Sequence, residues 1–509
     1  MPKQNKMRTR RVKNLMVVCT LSAMLLAIST YAWFIGLRTV HVSAFEVEIA
    51  STESLLLSLD GKKFEDTVNI SQASLDQVSY ENHTNSWGGK GLVPMSSVGE
   101  LDPIASRMKL FEKASLTASP GGYRLLASRV NNYQIDAEEQ DGYVVFDLFV
   151  KNYSGNQYIP ELNEFDEEAI YLTVDSAVTV DEAGGGVAGT GIENSVRVAF
   201  AQIGRVNEQE ADSSDITGIT CAPDSETGKP SIIGKVTGIC RTASIWEPND
   251  TSHVTGAISY YQTSCLTRNE DGEFSEDEKC ALIEDEEYYP TFAVAKPIGS
   301  EHKVDVYDGT IYNGYGGKTL LPEPDLYNGF PSDFALEDEE DALLYAVPTF
   351  TDTMKDQTGT ARRPFMYLAP NSVTKVRVYI YIEGQDVDNY DFAQIGKRIS
   401  IKFGFTKERF TAEDLEYEGP ELDFEKPVIE LNGGKEITIT QGETYEELGG
   451  TVTDNKDTEL SWSDVAVDGT VDTGTPGTYV IYYRVQDAAG NRQTAMRTVI
   501  VKEKVIAEE

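Results

Sequence analysis

The densest run of oxygen donors in the chain is Thr267 to Glu278, TRNEDGEFSEDE. Laid on a twelve-residue calcium loop, Asn269 and Asp271 take the third and fifth positions and Gly272 the sharp turn. Glu273 follows, Phe274 takes the apolar eighth position and Glu278 the bidentate twelfth. The first position, normally Asp, is Thr267, so one carboxylate is missing. The flanks lack helical periodicity, and Cys265 and Cys280 bracket the run. An acidic, solvated turn inside a disulfide loop explains the same residues and is the preferred reading. A calcium site here is expected to be weak, on the order of millimolar, as in extracellular modules with few charged ligands. No other cofactor is expected.

Four cysteines follow the N-terminal segment: Cys221, Cys240, Cys265 and Cys280. Their even number and the lack of C-x-x-C spacing favour disulfides over zinc. Three connectivities are open. Sequence-adjacent pairing, Cys221 with Cys240 and Cys265 with Cys280, closes the shortest loops and is expected, each worth roughly 3 kcal/mol by chain entropy.

Catalytic patterns are sparse. His41, His83, His253 and His302 show neither H-x-x-x-H nor H-E-x-x-H spacing and read as scattered surface or juxtamembrane residues. The chain has no G-x-S-x-G elbow and no Walker loop. Gly184 to Gly189 fits G-x-G-x-x-G formally, but a strand-like segment follows it, so no helix N-terminus would receive a phosphate. Acids are so numerous that a glycosidase-like carboxylate pair would arise by chance. No residue is assigned a catalytic role, and the chain is read as non-enzymatic.

Charge narrows the partners. The 509 residues carry 44 Lys and Arg against 83 Asp and Glu, for a net charge of -39. Six of the cations lie in the first 13 residues, leaving 38 cations and 83 acids, or -45, for the rest. Nucleic acid and anionic lipid repel such a body, so no nucleic-acid partner is expected. Residues 1–14 form a basic cytoplasmic segment. Residues 15–37, LMVVCTLSAMLLAISTYAWFIGL, carry no charge and would span roughly 34 Å as a helix, enough for a bilayer core. The flanking cations orient the C-terminal body outward. A single-pass anchor in the cell membrane is therefore expected. Cleavage near Ala32 is the competing reading. The C-terminal KEKVIAEE shows no sorting motif, so covalent wall attachment is not expected.

Strand patterns dominate the remainder. Val40 to Ile49, Tyr143 to Lys151, Val196 to Ala201, Val376 to Ile382 and Ile399 to Phe405 alternate with period two. In VRVYIYI, Val376, Val378, Ile380 and Ile382 share one face, and Arg377, Tyr379 and Tyr381 the other. Residues 38–410 are expected to form a large extracellular all-β sandwich, with 205–350 as long, acidic, cysteine-containing insertions; a separate small domain over 205–350 is the alternative. Short helices are expected near Glu164 to Ala169 and Phe392 to Ile395. An acidic, extended linker follows at 411–425.

From Lys426 to Lys502 the motifs are specific. They include Pro427-Val-Ile-Glu-Leu-Asn-Gly433, Gly449-Gly-Thr-Val-Thr-Asp454, Gly477-Thr-Tyr-Val-Ile-Tyr-Tyr-Arg-Val485 and Asp487-Ala-Ala-Gly-Asn491. This segment resembles the bacterial Ig-like module appended to surface proteins, which implies an Ig-like β-sandwich over 426–503. Glu447-Leu448 stands where that family often has Asp-Pro, a departure expected to affect one turn. Thr30-Tyr-Ala-Trp-Phe34 and Phe146-Asp-Leu-Phe-Val-Lys-Asn152 are similar to camelysin/TasA-type exported proteins, which implies a jelly-roll-like body. The function expected is a membrane-anchored surface protein with a structural or adhesive role and a surface protein or glycan as ligand. A secreted fibre subunit and an exported carbohydrate-active enzyme with an accessory module are the alternatives.

Overall fold

The computed structural model describes residues 41–49, 54–259, 292–294, 326–328, 344–389, 398–409 and 423–504, with short breaks at 82, 90, 116–123, 131–137 and 155. The chain divides into two compact units. The first holds residues up to 160, 169–366 and 371–409; the second holds 161–168, 367–370 and everything from 410 onward.

In the first unit, Ser372–Glu383 lies inside a twelve-stranded sheet. Its sequence, SVTKVRVYIYIE, is rich in β-branched and aromatic residues, which fit a pleated, packed surface. Antiparallel partners flank it on both sides, Val144–Asn152 and Val196–Asn207. Val236–Gly238 and Ser244–Glu247 pair with the free side of Val196–Asn207, and Leu55–Ser58 with that of Val144–Asn152. Part of the segment expected to be an insertion, residues 205–258, thus contributes strands to this sheet.

A six-stranded sheet is built around Arg398–Thr406, with Ala177–Val180 antiparallel and His41–Ile49 parallel to it. Thr67–Ile70 pairs antiparallel with His41–Ile49. The two sheets meet through aromatic edges: the Phe200 ring lies 5.0 Å from Phe403 and 5.5 Å from Phe405. Edge-to-face packing suits the ring quadrupoles and adds to the area buried.

The opposite face of the large sheet is covered too. Tyr379 and Tyr381 pack with Val93, Met95, Leu101 and Met108, and the Met108 amide donates to the Tyr379 hydroxyl at 3.0 Å. Every residue of Ser372–Glu383 is consequently buried. The alternating strands expected from sequence all appear, mostly one to several residues longer. The helix expected near Glu164 is a single 3₁₀ turn, Glu164–Asp166, capped by the Asn163 side chain.

The second unit contains two small sheets. Val428–Leu431 pairs with Gly450–Thr453. Glu436–Thr440, Arg492–Lys502, Gly477–Gln486 and Ala466–Asp468 form the other, in that order. Ile481, Tyr483 and Val499 make its core, and Trp462 packs 5.6 Å from the Tyr483 ring. The Asp487 to Asn491 turn forms as its residues predict: Asp487 Oδ1 accepts the Asn491 amide at 2.7 Å, and Gly490 supplies a φ of 90°.

Among the described residues no helix is long and apolar enough to cross a membrane. The expected anchor at 15–37 lies outside the described residues, as does the helix near Phe392.

Candidate functional site

Two buried ion networks occupy the first unit. On adjacent strands, Arg377 faces Asp147, with Nε donating to Oδ1 at 2.7 Å and Nη2 to Oδ2 at 3.2 Å. Lys375 Nζ lies 3.3 Å from Oδ2, and the Tyr80 hydroxyl donates to the same oxygen at 2.7 Å. Burial opposes the Asp147 charge, but Arg377, Lys375 and these hydrogen bonds outweigh it and hold the carboxyl far below its usual range. A carboxylate held in its ionised form has no proton to give as a general acid.

The second network gathers where the central strands end. Arg197, near the start of Val196–Asn207, contacts Glu247 Oε1 at 2.5 Å and Asp386 Oδ2 at 2.6 Å. Thr349 donates its hydroxyl to the other Glu247 oxygen. Beside them, His253 Nδ1 lies 2.8 Å from Asp388 Oδ2. This corrects the surface reading of His253: its side chain is 7 % exposed, drawn in by a fully buried carboxylate. Burial raises the Asp386 carboxyl despite Arg197. Burial, reinforced by the Asp388 charge, also raises Glu193, whose Oε2 is enclosed without a hydrogen bond.

In the second unit, the family departure at Glu447 becomes a hub. Its carboxylate accepts from Tyr445 at 2.8 Å, Tyr483 at 2.6 Å and the Gly449 amide at 3.0 Å, and pairs with Arg497 at 2.6 Å. Burial disfavours its charge, yet these donors and the guanidinium hold the carboxyl below its usual range. The effect therefore reaches past one turn into the core. In the same unit Arg484 grips Asp166, with Nη2 at 2.6 Å and Nε at 2.9 Å.

The arrangement that suits a ligand is an acidic pole of the second unit. Asp423, Asp454 and Asp487 each direct one carboxylate oxygen to within 4.8 Å of the others. Asp423 lies ahead of the first strand, Asp454 follows Gly450–Thr453, and Asp487 follows Gly477–Gln486. Asp454 Oδ1 accepts the amides of Lys456 and Asp457 at 3.0 and 2.8 Å, while Oδ2 is enclosed and accepts nothing. Asp487 is 5 % exposed, and Asn491 donates to both its oxygens. Among the described residues, no Lys or Arg pairs with any of the three.

Sequence reasoning missed this set. Asp487 was legible as a turn residue, but nothing in local spacing brings positions 423, 454 and 487 together. Of the residues singled out from sequence, Cys221 and Cys240 are joined in a disulfide with Cα atoms 5.5 Å apart. Cys265, Cys280 and the loop residues Asn269, Asp271, Glu273 and Glu278 lie outside the described residues.

Residues 429–501 match the family model for the bacterial surface protein Ig-like domain. Comparison with curated proteins finds no match. Among solved structures, a lipoprotein, BT2262 of Bacteroides thetaiotaomicron, is 27 % identical over 16 % of this chain and 40 % of its own, with a TM-score of 0.15. The CBM51-2 and INT domains of ZmpB from Clostridium perfringens, solved with GlcNAc, are 27 % identical over 16 % of this chain and 17 % of theirs, with a TM-score of 0.14. This chain thus spans less than half the length of either, and likeness at such TM-scores carries no argument. The camelysin/TasA-type likeness expected outside the C-terminal module finds no support in these comparisons.

Proposed function

We propose that the chain is an exported bacterial surface protein, anchored in the cell membrane by residues 15–37, whose jelly-roll-like body and Ig-like unit present a structural or binding surface without catalysis. The match of residues 429–501 to a surface-protein Ig-like domain carries this reading. The basic head before a 23-residue apolar run supports export with the body outside. The body's buried charges support a non-catalytic role, because they are engaged with one another: Asp147 pairs with Arg377, and Arg197 with both Glu247 and Asp386. The ligand class in this reading is a surface protein or a glycan.

Fractionation and surface proteolysis of intact cells test it. The full-length protein should stay with membranes after a high-salt wash, keep its N-terminus at Met1 or Pro2, and lose its Ig-like unit to added trypsin. A mature protein that begins at Trp33 and is released to the medium would sink the anchored reading.

A further inference from the structure

We infer that one face of the larger sheet in the Ig-like unit is a docking surface for an acidic segment that carries an aromatic ring, and that residues 161–168 of this chain occupy it as a strap. The stretch that matches the Ig-like family model begins at residue 429. Yet the second compact unit also contains residues 161–168, ELNEFDEE, which stand far earlier in the chain.

Strand register builds the seat. Arg484 lies directly opposite Thr494, and Gln486 opposite Arg492, on the antiparallel strands Gly477–Gln486 and Arg492–Lys502. Directly paired residues share a face, and alternate residues along a strand return to it. Tyr482, Arg484, Arg492 and Thr494 therefore stand on one face, while Ile481 and Tyr483 point into the core from the other.

The strap meets this face residue by residue. The Asp166 carboxylate takes a fork from Arg484, with Nε donating to Oδ1 at 2.9 Å and Nη2 to Oδ2 at 2.6 Å. The Thr494 hydroxyl donates to the same Oδ1 at 2.5 Å. Tyr482 donates its hydroxyl to Glu161. The Arg492 guanidinium lies 5.3 Å from the centre of the Phe165 ring and donates Nη1 to the Glu164 carbonyl at 3.2 Å. Lys426 Nζ lies 3.4 Å from Glu168 Oε1.

Burial and charge both mark a fitted seat. The Asp166 side chain is 1 % exposed and that of Arg484 9 %, so the fork is desolvated, where a bidentate charged pair is strong and directional. The Arg492 cation over Phe165 adds an attraction that an aliphatic side chain would not supply. In a protein with 83 acids and 44 bases, Arg484, Arg492 and Lys426 converge on a segment that carries Glu161, Glu164, Asp166, Glu167 and Glu168. The strap holds little order of its own. Its single 3₁₀ turn, Glu164–Asp166, is too short to stand alone, so the seat imposes its conformation. The inference goes beyond surface display, since these contacts lie inside the second unit and do not depend on anchoring.

The test combines hydrogen exchange with peptide binding on the full-length chain. The Asp166 and Glu167 amides, which donate to the Asn163 and Glu164 carbonyls, should exchange roughly tenfold or more slowly than in a free peptide of residues 161–168. Arg484→Gln and Asp166→Asn should each remove that protection while the amides of Gly477–Gln486 stay protected. Glu459→Gln, at an exposed acid of the same unit, should keep it. Should either strap variant also lose the protection of Gly477–Gln486, Thr494→Val decides: it removes one donor to Asp166, keeps the fork, and should speed exchange of the two strap amides alone. A fluorescent ELNEFDEE peptide, at about 0.15 M salt, should bind the Asp166→Asn chain, whose own strap is loosened, roughly tenfold more tightly than it binds the wild type. The same peptide carrying Asp166→Asn should bind neither chain. Strap protection that survives all three variants, or an Asp166→Asn chain that takes up neither peptide or both alike, overturns the docking surface.

Discussion

Arg377 and Asp147 stand directly opposite each other on adjacent antiparallel strands, and the guanidinium holds the carboxylate through two hydrogen bonds inside the core. Asp147 is completely buried and Arg377 3 % exposed. Two charges in such a place are tolerable only as a pair. Removing one partner strands the other, which typically costs about 3–5 kcal/mol, whereas replacing both can be nearly neutral.

Arg377→Met should therefore destabilise the first unit by about 3–5 kcal/mol. Lys375→Met should cost much less, because Arg377 still neutralises Asp147 and burial already disfavours the Lys375 charge. Denaturant melts of the two variants compare them directly. Equal losses would show that the two cations share the carboxylate evenly.

The same pair sets an acid limit. Asp147 has a folded-state carboxyl depressed below the unfolded value of about 3.9, so its contribution is fully present above that value and is lost as pH falls through the lower, folded one. Wild-type stability should drop steeply below about pH 4, and Asp147→Asn should flatten that drop while lowering stability at pH 7. Calorimetry from pH 7 to 3 checks both.

Glu193 shows the opposite sign. Its carboxyl is raised by burial and by Asp388, so the folded state favours its protonated form. That penalty is absent below the unfolded value and grows as pH climbs through the raised folded one. Glu193→Gln should raise the melting temperature at pH 7, by about 1–2 °C, and give no gain near pH 4. A loss at pH 7 would mean that the charge has a partner it needs.

Glu447→Ala should lower the melting transition of the second unit and leave that of the first in place. It removes the acceptor shared by Tyr445, Tyr483 and the fully buried Arg497 side chain. A loss of about 3 kcal/mol is expected from the stranded guanidinium. An equal shift in the first unit's transition would overturn this assignment of the effect to Glu447's own contacts.

The covalent staple gives the last test. Non-reducing peptide mapping should recover a Cys221–Cys240 peptide, and the double Ser variant should lose about 2–4 kcal/mol from the first unit. Cys221 linked to Cys265 or Cys280 would refute the pairing.

The sequence by itself determined the strands and the module. Alternation in Val376 to Ile382 marks a strand because side-chain direction reverses at every residue, a local rule that needs no partner. The turn at Asp487 to Asn491 was readable for the same reason, since its hydrogen bonds span four residues. Only tertiary structure decided what the second face of that strand meets. In sequence Arg377, Tyr379 and Tyr381 are simply the strand's other face; in the fold they lie under a layer that includes Met95, Leu101 and Met108. The carboxylate that makes Arg377 tolerable there comes from 230 residues away. His253 was legible as a lone imidazole, and its burial became visible only with Asp388 beside it. The acidic pole follows the same logic. The run from Thr267 to Glu278 drew the calcium reading because the spacing of donors within one loop is what a sequence displays. Asp423, Asp454 and Asp487 are unremarkable where they stand in the chain; the pairing of Val428 with Thr453 brings the first two together, and Asp487 meets them from the end of a strand in the other small sheet.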